Sequence, residues 1–129
     1  MIQLIKIPEI ENVFGNLAVI EKDTIPFEIK RVYFMYDIPS IAKRGGHAHK
    51  NLKQILIAIS GSFDVVLKNG VKTEKVTLNK PNVGLLIENF IWSDLENFSS
   101  GAVCLVIASD TYLETDYIRN YNEFLECLK

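Results

Sequence analysis

The residues best suited to chemistry in this chain are its two histidines, His47 and His49, which are separated by a single alanine. Imidazole has a reference pKa of about 6.5, so it can accept or donate a proton near neutral pH, and its nitrogens also ligate metals. On a β-strand, side chains two residues apart point to the same face. A lone histidine is often structural, but two on one face form a stronger candidate site.

Arg44, Gly45 and Gly46 come directly before this pair. Two consecutive glycines let the backbone bend closely at the entrance to the strand. The guanidinium of Arg44 offers forked donors that suit a phosphate. The segment therefore predicts a bend that brings a cationic group close to two titratable ones.

Short β-type runs separated by turn residues make up most of the chain that must position these groups. The runs with β-branched and aromatic residues are 30–36, 54–59, 63–68, 71–78, 85–87 and 102–108. Asn69 and Gly70, between two of these runs, are a strong hairpin signal. Strands at this spacing predict an antiparallel sandwich or barrel.

Only the C-terminal segment has helical periodicity. Asp116 is a suitable N-cap, and apolar residues follow it at three- and four-residue steps: Tyr117, Ile118, Tyr121, Phe124, Leu125 and Leu128. These apolar residues form a stripe along one face, which predicts a short helix that covers one end of the fold. Packing against a partner chain is the alternative interpretation.

Length and composition limit the fold and the partners. The chain has 129 residues, of which 48% are hydrophobic and 23% charged, and this matches one globular domain over residues 1–129. A net charge of −2, spread along the chain, argues against nucleic-acid binding and against a polybasic membrane surface. No apolar run approaches the roughly 20 residues of a membrane span, and Pro8 and Glu9 come too early for a signal peptide. We therefore expect a cytoplasmic protein.

The spacing around the histidines resembles the first motif of the cupin superfamily, and this implies an antiparallel all-β jelly-roll barrel. The motif is a glycine, His-x-His, a carboxylate and another glycine, and the matching residues here are Gly45 or Gly46, His47, His49, Gln54 and Gly61. Metal-binding cupins have a glutamate ligand where this chain has Gln54, and their second motif adds a histidine that the stretch 81–93 lacks. Because stable divalent sites of this type need about three good protein ligands, we expect no metal and no other cofactor.

A fuller pattern, covering nearly the whole chain, resembles the WxcM-like nucleotide-sugar 3,4-ketoisomerases, which are metal-free cupins. Its more specific parts are Ile-Lys-Arg-Val-Tyr at 29–33 and Glu-Thr-Asp-Tyr-Ile-Arg at 114–119. The resemblance implies an isomerase that moves the carbonyl of dTDP-4-keto-6-deoxyglucose from C4 to C3. A transaminase would then make a 3-amino sugar for surface polysaccharides. It also implies a homodimer with exchanged N-terminal strands.

That reaction requires loss of the C3 proton, an enediolate and reprotonation at C4, for which a base near neutral pKa and oxyanion donors suffice. His47 is the first choice for the base and His49 for its partner in proton transfer or oxyanion stabilisation, although the reverse order also fits. Tyr33 shares strand parity with Arg31 and is expected to donate to a sugar oxygen. An aromatic core residue is the alternative interpretation of Tyr33.

Five further side chains are assigned to substrate binding. Arg31, Arg44 and Lys50 are candidates for the diphosphate, although Lys50 also fits a solvated surface charge. Gln54 is expected to hydrogen-bond the sugar or to orient a histidine. Trp92 is expected to stack on the base or the sugar, with a core position as the alternative.

Phe14 and Ser93 fall where isomerases of opposite C4 outcome differ. Many relatives have Arg or Tyr at the first position and His or Arg at the second. Phe14 is nearer the aromatic alternative and favours the gluco product, whereas Ser93 matches neither. The sequence leaves the C4 configuration open.

Three other functions compete with the isomerase. A non-catalytic cupin that binds sugar nucleotides would keep the cations but need no titrating histidine. A sugar 3,5-epimerase would exchange protons at C3 and C5. A metal-dependent cupin with an unusual ligand set would lose its activity in excess chelator.

Overall fold

Two five-stranded antiparallel sheets dominate the computed structural model, which describes residues 1–129. In spatial order, the first sheet consists of β1 (Gln3–Lys6), β9 (Val83–Ile87), β6 (Gln54–Ser60), β11 (Val103–Ala108) and β4 (Arg31–Met35). The second consists of β12 (Tyr117–Ile118), β5 (Arg44–His49), β10 (Trp92–Glu96), β7 (Phe63–Lys68) and β8 (Thr73–Leu78). A separate two-stranded ribbon pairs β2 (Glu9–Ile10) with β3 (Leu17–Ala18).

The predicted antiparallel all-β fold is confirmed, with one difference in how it closes. No ladder joins the edges of the two sheets, so they face each other as a sandwich rather than forming a closed barrel. Alternating apolar residues of both sheets meet between them in one cluster, which includes Leu56, Phe63, Leu67, Leu85 and Val106. The hairpin predicted at Asn69 and Gly70 connects β7 to β8, with Lys68 opposite Thr73.

A second apolar cluster lies on the outer face of the first sheet. Side chains that alternate with the inward-facing ones, such as Ile55, Ile57 and Ile107, are covered there by Ile7 and Ile25. Farther along the same face, on the edge strand β4, Val32 and Phe34 are more than half exposed. This outer face is therefore covered only in part by the chain itself.

The C-terminal helix is present, but it begins later than predicted. Helix α1 spans Tyr121–Cys127, and its N-cap is Asn120, whose side chain accepts a hydrogen bond from the Glu123 amide at 3.1 Å. The prediction of Asp116 as N-cap is wrong, because its carboxylate accepts hydrogen bonds from Asn51 and Leu52 instead. Its neighbours Tyr117 and Ile118 form β12 rather than a helical turn.

Helix α1 covers the end of the second sheet, as the simpler interpretation of its stripe predicted. Phe124 is fully buried against Ala48, Trp92 and Ile118. None of the helices has the length and apolar character needed to cross a membrane.

Candidate functional site

A cavity of about 370 Å³ opens between the two sheets and is partly walled by the segment around β12. Predicted site residues from four strands line it, and they are Arg31 and Tyr33 from β4, Arg44 and His47 from β5, Gln54 from β6 and Ser93 from β10. The structure thus brings together six of the ten residues singled out from the sequence.

The glycines before the histidines let β5 approach β10 closely. Gly45 and Gly46 have φ angles of +80° and +71°, in the left-handed region that favours glycine. A Cβ on Gly45 would lie 2.9 Å from the carbonyl oxygen of Ser93, which is too close. A register shift between Ser93 and Asp94 accompanies this contact and sets His47 opposite Ser93. The two glycines therefore allow the close strand contact that positions His47 at the cavity.

His47 and His49 lie side by side, as their spacing predicts, but they face different spaces. Their ring centroids are 4.9 Å apart, and the ring of Tyr117 contacts both, at 5.1 Å from His47 and 4.3 Å from His49. His47 lines the larger cavity. His49 lines a smaller cavity of about 60 Å³ together with Arg31, Asp116 and Tyr117.

Burial lowers the pKa of both histidines below their usual value. For His49 the pKa falls to about 4, because burial disfavours the charged ring and the neighbouring His47 adds to the effect, while Asp116 opposes it. For His47 burial is again the largest cause of the lowered pKa. Both rings are therefore neutral at pH 7, in the form that accepts a proton.

Tyr33 and Gln54 form a polar pair on the first sheet. The Gln54 amide donates to the Tyr33 hydroxyl at 3.4 Å, and the Arg31 guanidinium lies 4.4 Å from the centre of the Tyr33 ring. Burial raises the pKa of Tyr33 above its usual value. The phenol therefore stays protonated and can donate a hydrogen bond to a ligand.

Four cationic side chains line the larger cavity, and no carboxylate does. They are Arg31, Lys43, Arg44 and Arg119, in a protein whose net charge is −2. Arg119 is held by two contacts to the Glu114 carboxylate, at 2.7 and 2.8 Å, and lies over the Tyr117 ring. The cavity thus favours an anionic ligand.

Trp92 is not brought to the cavity. Because side chains alternate along β10, Ser93 and Leu95 face the cavity while Trp92 points to the opposite side. There its ring packs against Tyr121 and Phe124, and its indole nitrogen donates to Asp94 at 3.1 Å. The structure places Trp92 in the core under α1 rather than beside a ligand.

Lys50 and Phe14 also lie away from both cavities. The Lys50 side chain is exposed, and only its backbone is engaged: the amide donates to the Asp116 carbonyl and the carbonyl accepts from the Asn89 side chain, both at 3.0 Å. Phe14 is 96% exposed in the turn between β2 and β3.

Sequence reasoning missed the part of the site contributed by β12 and the residues beside it. Tyr117 and Arg119 face the cavity, whereas Ile118 between them is buried on the other side. This alternation is typical of an extended strand, but the apolar spacing around it was interpreted as helical. Lys43 gave no signal beyond its charge.

The protein's own metal-ligating side chains are dispersed. No group of three or more His, Cys, Asp or Glu residues is placed to hold a metal ion. The expectation of a metal-free site stays a prediction.

Comparisons with known proteins agree on one family. A family model described as WxcM-like, C-terminal (FdtA) matches residues 1–129. A curated TDP-4-oxo-6-deoxy-alpha-D-glucose-3,4-oxoisomerase from Aneurinibacillus thermoaerophilus is 46% identical over 111 residues, covering 85% of this chain and 80% of that protein.

Two solved structures superpose closely on the whole chain. One is a histidine variant of a 3,4-ketoisomerase from Thermoanaerobacterium thermosaccharolyticum in complex with TDP-4-keto-6-deoxyglucose, with a TM-score of 0.96, 41% identity and coverage of 98% and 93% of the two chains. The other is a TDP-quinovose 3,4-ketoisomerase from Campylobacter jejuni, with a TM-score of 0.92, 46% identity and coverage of 97% of each chain.

Proposed function

We propose that this chain, which belongs to the WxcM-like family, is an isomerase that converts dTDP-4-keto-6-deoxyglucose into a dTDP-3-keto-6-deoxyhexose. The observation that carries the proposal is a half-buried, neutral imidazole beside four cations in one cavity of about 370 Å³. A diphosphate needs the cations, and a proton shift between sugar carbons needs the imidazole. The activities named for its relatives support the same substrate class.

The cations account for binding of the nucleotide diphosphate. Arg31, Arg44 and Arg119 offer forked guanidinium donors, and Lys43 adds a point charge. Since no carboxylate lines the cavity, nothing within it repels the diphosphate.

The histidine that faces the cavity is assigned the first proton transfer. His47 takes the proton from C3, and the electron pair of the broken C–H bond delocalises onto the C4 oxygen as an enediolate. The C4 oxygen then takes up a proton and the C3 hydroxyl loses its own, while a proton adds at C4, which leaves a hydroxyl at C4 and the carbonyl at C3. Protons and electrons balance without an external oxidant or reductant.

Tyr33 and Gln54 are placed to stabilise the developing charge. The Tyr33 hydroxyl remains protonated and lines the same cavity as His47, so it can donate to a sugar oxygen. Gln54 holds this hydroxyl from β6, across the intervening strand β11. His49 supports the transfer from behind His47, and the reverse order of the two histidines remains the alternative.

Incubation with dTDP-4-keto-6-deoxyglucose in deuterated water, followed by proton NMR, tests the proposal. We expect a 3-keto product that carries deuterium at C4, and the H4–H5 coupling constant of the product formed in ordinary water reports the gluco or galacto configuration. If the spectrum is unchanged although the protein is shown to bind dTDP, the protein is a non-catalytic binding protein. Exchange at C3 and C5 without carbonyl migration would identify an epimerase.

The same assay in excess chelator, with elemental analysis of the purified protein, separates a metal-free reaction from a metal-dependent one. We expect full activity with chelator. Activity that disappears and returns with one added metal would overturn the assignment of the histidines as acid/base groups.

We also propose that the protein works as a homodimer in which the N-terminal region is exchanged. In the single chain, β1 pairs with β9 of the same chain, but the β2–β3 ribbon projects with Ile10, Val13, Phe14 and Leu17 exposed. The half-covered outer face of the first sheet offers a second apolar surface. Exchange would bury both surfaces and would bring Phe14 to the partner subunit.

A further inference from the structure

Asp116 has no part in the reaction as described, yet it is a buried charge beside one of the two histidines. The residue is 8% exposed and lines the small cavity, not the larger one. A carboxylate this deeply buried requires several hydrogen bonds to remain charged. Its partners are therefore informative about what it does.

Three donors hold the carboxylate in one orientation. Its Oδ1 accepts from the backbone and side-chain amides of Asn51, at 3.0 and 3.1 Å, and its Oδ2 accepts from the Leu52 amide at 3.1 Å. Lys50 and Asn51 follow directly after β5, so the carboxylate is anchored to the turn that ends the histidine strand. Oδ2 can accept a further hydrogen bond, and it lies 3.4 Å from the Nδ1 of His49.

The His49 ring has no other obvious partner. Both ring nitrogens are buried and neither has a hydrogen bond of normal geometry. A neutral imidazole carries one N–H and one lone pair, whereas a carboxylate only accepts hydrogen bonds. A carboxylate facing Nδ1 favours the tautomer with the proton on Nδ1, and the lone pair is then on Nε2.

We infer that Asp116 is a positioning residue, which holds His49 as the Nδ1–H tautomer so that Nε2 is the nitrogen able to exchange a proton beside His47. The inference rests on the proposed isomerase for its kinetic consequence, but the tautomer itself is a property of the free protein. Asp116 would contact neither the substrate nor the reacting carbons.

Replacing Asp116 by asparagine puts a hydrogen-bond donor in place of the acceptor that faces His49. In Asp116→Asn, the amide nitrogen takes the place of either Oδ1 or Oδ2, and it cannot accept the hydrogen bonds made there. Oδ1 accepts two hydrogen bonds from Asn51 and Oδ2 accepts one from Leu52, so fewer are lost when the nitrogen takes the Oδ2 position. There it donates to Nδ1 and favours the opposite tautomer, with the proton on Nε2. Loss of the negative charge also lowers the pKa of His49 further, because Asp116 opposes the fall caused by burial.

The other charged or titratable groups around the ring remain in place in this variant. They are His47 from the same strand, Arg31 across the small cavity, Asp110 and Tyr112 from the loop that lines it, and Tyr117 and Arg119 beside β12.

Nitrogen-15 NMR of histidine-labelled protein tests the inference directly, since the chain has only two histidines to assign. In the unmodified protein at pH 7 we expect His49 with a protonated Nδ1 and a bare Nε2, and in Asp116→Asn a shift toward Nε2–H. The kcat of that variant is expected to fall by about 10- to 100-fold, the size seen when a group that orients a metal-ligating histidine is lost. Its KM should stay near that of the unmodified protein.

Asp64→Asn is the matched control. Asp64 is also buried, accepts hydrogen bonds from Thr77 and Asn97, and lines neither cavity. We expect it to weaken folding without changing the His49 signals or kcat.

An Nε2–H tautomer of His49 in the unmodified protein would overturn the inference, even if Asp116→Asn failed to fold. An unchanged tautomer in a folded Asp116→Asn variant would overturn it as well. Absence of isomerase activity in the unmodified protein would instead refute the proposed function and leave the tautomer result standing.

Discussion

At the scale of single residues, the two histidines have the same chemistry but different surroundings. His47 borders the cavity with the cations, and His49 lies behind it next to Asp116. Burial keeps both rings neutral, and charging one makes charging the other harder. The pair is therefore suited to carry one proton at a time.

Replacing His47 by asparagine should separate binding from turnover. Asparagine has a similar polar shape but cannot act as a base near neutral pH, so kcat is expected to fall by about 10²–10⁴-fold. The dissociation constant for dTDP, measured by calorimetry, should remain close to that of the unmodified protein because the cations are untouched. If turnover survives in His47→Asn, then His49 is the first base and the order is reversed.

The pH dependence of stability also belongs to this scale. The pKa of His49 is near 6.5 in the unfolded chain and about 4 in the folded protein, so between these values the unfolded state binds more protons. The free energy of unfolding should therefore decrease as pH falls from 6.5 toward 4, by at most about 1.4 kcal/mol per pH unit from this residue.

Urea unfolding at several pH values, with His49→Gln as the comparison, measures this contribution. The variant lacks the titrating ring, so its stability should depend less on pH in that window. If the free energy of unfolding changes equally with pH in the two proteins, His49 is not buried as a neutral ring.

At the scale of elements, the site depends on a close approach of β5 to β10. Sequence patterns located most of the longer strands, since β-branched runs and the Asn69–Gly70 turn are local signals. They could not place Trp92, whose orientation is set by the register of β10 against its neighbours. They also could not place the residues beside β12, because a two-residue strand forms only by pairing with Ala48 and His49, far away in sequence.

A methyl group at Gly45 should disturb this approach. Gly45→Ala combines a left-handed backbone with a contact of 2.9 Å to the Ser93 carbonyl, and we expect a loss of about 1–3 kcal/mol in the free energy of unfolding. Because Ser93 lies opposite His47, kcat should fall as well.

Gly101→Ala is the control for backbone strain alone. Its φ is +73°, but an added Cβ has nothing within 4 Å. We expect a loss of only about 1 kcal/mol and an unchanged kcat. Equal effects of the two substitutions on stability and activity would mean that the contact with Ser93 is unimportant.

At the scale of the whole molecule, exposed apolar side chains are concentrated in two places. One is the β2–β3 ribbon, and the other is the part of the first sheet's outer face around Val32 and Phe34, which are 55% and 59% exposed. Clusters of exposed apolar side chains commonly mark an interface. Both places are consistent with the dimer proposed above.

A charge placed on this face should dissociate the dimer. For Phe34→Glu we expect a monomer by light scattering coupled to size exclusion, because burying an unpaired carboxylate in an apolar interface is unfavourable. Val71→Glu is the control, since Val71 is 93% exposed at the β7–β8 turn, and it should leave the dimer intact. A dimeric Phe34→Glu variant would place the interface elsewhere.

The wall formed by Tyr117 and Arg119 has a consequence for biosynthesis of the protein. Tyr117 lies in β12, the last strand, and Arg119 directly follows that strand, whereas another wall of the cavity includes Arg31 from the earlier strand β4. During translation, a nascent chain can fold its earlier sheets but cannot present a complete cavity until the C-terminal segment has left the ribosome. Prematurely terminated products would therefore lack part of the cavity wall.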